Sequence, residues 1–230
     1  MKTAFHRPLL ASAAACVLLL SACASKPAPP AWQTNAFAAL KGFSTAYLSG
    51  NTRLADFELA RARSEIASTG RADILARAEL TRCAVRVASL EFDDCATYQP
   101  LAADAAPAER AYAAFLSGHW RGLDAALLPA QHRALVLSAA SEPAPTQSML
   151  EAVDEPLARL VAAGILLQNN RLTPADIVLA TETASSQGWR RPLLAWLGVQ
   201  LKRANDAGAH DAAARLQRRI DLVLQTATKN

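Results

Sequence analysis

Residues 52–90 read TRLADFELARARSEIASTGRADILARAELTRCAVRVASL, and this stretch decides the fold. Ala55, Leu59, Ala62 and Ile66 recur at three- and four-residue intervals, the spacing of one helix face. After Gly70 the pattern restarts with Ala76, Leu80, Cys83, Ala84, Val87 and Leu90. Charged residues fill the opposite faces, and Gly70 is the break that helix ends favour. The stretch therefore predicts two amphipathic helices, Thr52–Thr69 and Arg71–Leu90, joined by one tight turn. A short turn makes such neighbours antiparallel.

The same grammar extends outward in both directions. A helix is predicted from Thr34 to Ser49, stopped by Gly50, and another from Pro107 to near Gly118. Leu123 to Ala140 reads as one or two helices broken at Pro129. Leu157, Leu160, Val161, Gly164 and Leu167 form the inward stripe of a helix opened by Glu155-Pro156. Thr173-Pro174-Ala175-Asp176 is a helix start, with Thr as the cap, Pro in the first turn and an acid at the third position. Trp189–Ala207 and the segment after Gly208 complete the series. Ala, Leu, Arg, Glu and Gln dominate, all good helix formers, and β-branched runs are missing. The expected fold class is all-α, built of antiparallel helical hairpins. The Pro-containing loop at 141–148 divides it into an N-terminal lobe, 34–140, and a C-terminal lobe, 149–230.

The N-terminus follows a different rule. Lys2 and Arg7 precede an uncharged, mostly apolar run of 14 residues, Leu9 to Ala22. A membrane-spanning helix needs about 20 apolar residues, so this run is too short to span and has the form of a signal peptide. It ends Leu20-Ser21-Ala22-Cys23. This ending resembles the lipobox of bacterial lipoproteins at all four positions. The resemblance implies cleavage after residue 22, lipid on Cys23, and a polar, Pro-rich tether over 23–33. Two or more acyl chains hold a protein firmly to a membrane, where one holds it marginally. In that family an Asp after the cysteine signals inner-membrane retention. Ala24 and Ser25 stand here, so the resemblance implies an outer-membrane anchor facing the periplasm. The helical hairpins in turn resemble tetratricopeptide-like repeat lipoproteins in architecture. The repeat lengths vary, so a plain helical bundle remains the alternative.

Without residues 1–22 the chain keeps 208 residues, with 22 basic and 20 acidic side chains, a net charge of +2. That balance gives no reason to expect nucleic acid. Of four cysteines, Cys16 lies in the signal peptide and Cys23 in the lipobox. Cys83 and Cys95 remain, and in an oxidising compartment a disulfide is the economical reading, with two buried thiols as the alternative. No His or second Cys pair stands near them, so no metal is expected.

The scan for chemistry finds little. His119, His132 and His210 are scattered and match no zinc spacing. Glu91, Asp93 and Asp94 form the densest acid cluster. Paired carboxylates hydrolyse glycosides, but a solvated loop is the plainer reading. Nucleophile and phosphate-loop motifs are not found in residues 23–230. Trp189-Arg190-Arg191 stands out as a candidate partner-binding step, since Trp and Arg concentrate at binding hot spots. The alternative is a helix start with Trp189 on the core and two solvated arginines. The expectation is a non-catalytic, membrane-tethered envelope protein, without cofactor, that binds another envelope protein. A muralytic enzyme and a carrier of an apolar ligand are the alternatives.

Overall fold

The computed structural model describes residues 28–139 and 150–225. The expected signal peptide, Cys23, the first part of the expected tether and the expected 141–148 loop lie outside the described residues. Nine α-helices form among the described residues, with no strand. They are α1 (Ala31–Leu48), α2 (Thr52–Ala67), α3 (Ala72–Ala88), α4 (Pro107–Leu116), α5 (Ala130–Ala139), α6 (Pro156–Gln168), α7 (Pro174–Ser186), α8 (Arg190–Asp206) and α9 (His210–Gln225). Short 3₁₀ turns occupy Gln99–Leu101 and Ala125–Leu127. The all-α class expected from the periodicity is what forms. Helix α1 begins at Ala31, inside the stretch assigned to the tether, because Ala31-Trp32-Gln33 follows the last helix-blocking proline, Pro30.

Local chemistry sets the helix ends. The Asn51 side chain accepts from the Leu54 amide at 3.1 Å and starts α2. Thr173 and Asp176 form a reciprocal capping box at the start of α7, with Pro174 in its first turn. At the other ends the chain turns through a left-handed residue that closes the last turn. Asn51 N–H donates to Ala46, Glu91 to Arg86 and Arg171 to Leu166, all six-to-one bonds typical of this cap. Glycine takes the left-handed position after α1, at Gly50, but Leu90 takes it after α3 and Asn170 after α6, with φ of 59° and 55°. Asn tolerates this conformation by local hydrogen bonding. Leu90 is held there because its side chain packs on the main core.

Several successive helices pack against one another. Asn35 bonds Glu65 across α1 and α2, and Arg63 grips Glu79 across α2 and α3 through two bonds of 2.5 and 2.7 Å. Helices α6 to α9 pack one on the next in chain order. Helix α3 is the hub, meeting α2, α4 and α6. Gly164 makes the α3–α6 contact possible, since a Cβ there would collide with the Val87 carbonyl oxygen. Trp196 is fully buried and donates its indole N–H to the Ala88 carbonyl at 3.2 Å, tying α8 to the end of α3. One core runs through residues on both sides of 141–148, from Leu80 and Phe115 to Leu160 and Trp196. This largest cluster draws residues from both expected lobes, and two smaller clusters lie among α1 to α3.

Candidate functional site

The disulfide lies at the hub. Cys83 stands on the buried face of α3, and the return loop brings Cys95 to a Cα separation of 5.1 Å. Both are nearly inaccessible, 2% and 4% exposed, and they are bonded to each other. The short loop between them holds Glu91 and Asp93 beside the same helix.

Asp94 is exposed, as the loop reading expected, while Glu91 and Asp93 are half-buried and paired. Asp93 pairs with Arg82 and Arg86, each at 3.0 Å, and Glu91 with Arg86 at 3.0 Å and Arg191 at 3.1 Å. Helix α3 places Arg82 and Arg86 one turn apart on one face, so both reach the loop that caps it. Three arginines thus neutralise two carboxylates.

Arg191 is the unexpected member of this network. Its Nε donates to the Tyr47 carbonyl at 2.9 Å and its Nη2 to Thr52 Oγ1 at 2.7 Å. Its guanidinium also sits 4.2 Å from the Tyr47 ring centroid, a cation–π geometry. Arg190 reaches the Gly50 carbonyl at 3.4 Å, and half-buried Trp189 packs on both neighbouring clusters. The candidate partner-binding step is therefore occupied inside the molecule, where it ties the start of α8 to the α1–α2 corner. Trp189 packs on the core as the helix-start reading has it, but the ties of Arg191 escape the sequence because every partner is remote along the chain. The buried Tyr47 phenol is pushed above its ordinary range, by burial first and by the Glu91 carboxylate second.

The histidines also take separate roles. His132 is 2% exposed and stacks between Phe115, at 4.4 Å, and Tyr112, at 5.9 Å. Burial lowers its pKa to about 4, so it is neutral near pH 7. His119 and His210 are exposed. No group of three potential metal ligands occurs among the described residues.

Two open clefts among the described residues bear on function. The first, of about 320 Å³, lies between α3, α4 and the 125–129 turn, lined by Leu80, Tyr112, Leu127 and Leu128 with the Arg77–Glu109 ion pair at its rim. The second, of about 370 Å³, lies where the C-terminal ends of α4 and α6 meet. Trp120, Arg121, Asn169 and Arg171 line it, with Gly118 and Gly122. The sequence signal for the second was only a polar, aromatic cluster after each helix, which reads equally well as a pair of helix ends.

The fold and the sites define an all-α protein of helical hairpins, stapled by one disulfide and cross-tied by arginines. No protein-family model matches the chain, and no curated protein or solved structure matches it. Among the described residues, no helix is long and apolar enough to cross a membrane.

Proposed function

We propose that the chain is an exported lipoprotein, cleaved before Cys23, held by lipid on Cys23 to the outer membrane, and acting in the periplasm as a non-catalytic module that binds another envelope protein. The observation that carries this reading is Leu20-Ser21-Ala22-Cys23 placed directly after the short apolar run. The Cys83–Cys95 bond supports it, because disulfides persist in oxidising compartments. The non-catalytic part is supported by the use of the acid cluster in arginine pairs. With the Trp189 corner occupied internally, a partner is offered other side chains. Phe37 and Phe57, 72% and 61% exposed on the first hairpin, are apolar groups of the kind that anchor interfaces. A lipid tether adds to such binding by holding the module close to its neighbours.

Mass spectrometry of the N-terminal peptide from intact cells tests the anchor. A diacylglyceryl, N-acylated Cys23 is expected, and Cys23→Ser is expected to leave unprocessed protein. An intact 1–30 segment on the matured wild-type protein overturns the reading. In-cell crosslinking with Phe37→Ser and Phe57→Ser variants tests the binding role, with loss of a partner band as the expected result. The apolar cleft beside Tyr112 and Leu128 favours a second reading, a carrier of a small apolar ligand. Saturable uptake of a fluorescent fatty acid by the purified full chain would support it.

A further inference from the structure

The cleft between the ends of α4 and α6 gathers two arginines, exposed Arg121 and half-buried Arg171. Other arginines beside the core bond acids, as Arg63 does with Glu79 and Arg82 and Arg86 with Asp93, or bond backbone carbonyls, as Arg110, Arg133 and Arg159 do. Arg121 and Arg171 line this cleft, and no acid lines it with them. Neither guanidinium has an acidic or carbonyl acceptor among the described residues.

They are not needed to cap the helices. His119 N–H donates to Ala114 at 2.9 Å and Arg171 N–H to Leu166 at 2.8 Å, so the backbone closes both helix ends by itself. Trp120 is fixed as well, its indole N–H donating to the Phe115 carbonyl at 2.9 Å. Arg171 lies over that ring, 5.7 Å from guanidinium to centroid. This cation–π contact seats the guanidinium beside the ring, and a guanidinium recognises a planar oxyanion through its N–H edge. Asn169 completes the wall. Its amide nitrogen donates to Ile165 at 2.8 Å and lies so close to Gly118 that a Cβ there would strike it. Gly118 also sits at φ of 75°, so the turn and the close approach both require glycine.

We propose that this cleft is a binding site for a small organic oxyanion, a carboxylate or a phosphate, gripped by Arg121 and Arg171 and bordered by Trp120 and Asn169. Its volume of about 370 Å³ suits a small ligand and not a folded partner. Two cations facing one cleft repel each other, and a bound anion relieves that repulsion as well as filling the donors. The site is independent of whether Cys23 carries lipid.

Nuclear magnetic resonance titration of the full chain in neutral detergent tests this, with succinate, inorganic phosphate and uncharged succinamide as probes. Saturable shifts at the Gly118 and Gly122 amides and the Trp120 indole are expected with succinate or phosphate, and whichever binds more tightly identifies the oxyanion. Affinity is expected to fall with added salt. Arg121→Gln combined with Arg171→Gln is expected to weaken binding by about tenfold or more, the loss typical of charge-assisted donors. The Trp196 indole resonance serves as the fold control, and Arg121→Gln alone, at an exposed position, gives a second variant that keeps the core untouched. No saturable shift with either anion, equal shifts with succinamide, or full binding by the double variant overturns the proposal.

Discussion

Arg191→Ala is expected to destabilise the protein by about 3–4 kcal/mol, although a sequence reading places this arginine at an exposed helix start. The lost contacts can be weighed one by one. The bonds to the Tyr47 carbonyl and to Thr52 Oγ1 join a charged donor to neutral acceptors, each worth on the order of 1 kcal/mol net. The Arg191 side chain is 22% exposed and Glu91 35%, so their ion pair is screened and adds about 0.5–1 kcal/mol at most. The cation–π contact with Tyr47 contributes roughly 0.5–1 kcal/mol. No deep orphan is left behind, because the Tyr47 carbonyl also accepts from Gly50 and Glu91 keeps Arg86. The sum therefore has no large desolvation term added to it. Arg191→Glu should cost more, since it sets like charges together beside Glu91. Arg191→Lys should fall between wild type and alanine, because one ammonium cannot serve three acceptors in a fixed fork. Arg190→Ala, which loses a single 3.4 Å contact, should stay within about 0.5 kcal/mol. Urea titration measures all four, with an unchanged slope showing that stability and not compactness has moved. A loss below about 0.5 kcal/mol for Arg191→Ala would refute the view that this corner is a tie.

Gly164→Ala is expected to cost about 1–3 kcal/mol by wedging α6 away from the Val87 carbonyl, and an unchanged urea midpoint would show that the two helices can separate freely. Replacing Cys83 and Cys95 by Ala should remove roughly 3 kcal/mol, the loop-closure value for so short a loop, while peptide mapping without reductant should recover the bonded pair from wild type. His132 binds its proton less readily folded than unfolded, with a folded pKa of about 4 against the usual value near 6.5. Its contribution is therefore complete above about pH 6.5 and is lost as the pH falls toward 4, on the order of 3 kcal/mol in all. His132→Phe should flatten that part of the acid limb, and an unchanged difference between the two proteins from pH 7 to pH 4 would remove His132 from the account.

The sequence by itself determined what depends on neighbours along the chain. Helix periodicity, the Thr173 cap and the proline and glycine breaks act within a few residues, so they are legible without the fold, whereas the Asn51 cap carries no such signal in the pattern. The Cys83–Cys95 pairing was legible for the same reason: a helix face and a short return loop leave few places for the second sulfur. Packing decided the rest. Glu91 lies 100 residues from Arg191 and Tyr47 lies 144, so no local pattern marks them as partners, and the same Trp-Arg-Arg step would read alike if it faced solvent. The Gly164–Val87 approach and the cleft that gathers Arg121 and Arg171 likewise exist only once α3, α4 and α6 meet. A helix announces its apolar face through its own spacing. Which polar side chain is spent inside the molecule, and which is left for a ligand, is decided by where other helices place their carboxylates and carbonyls.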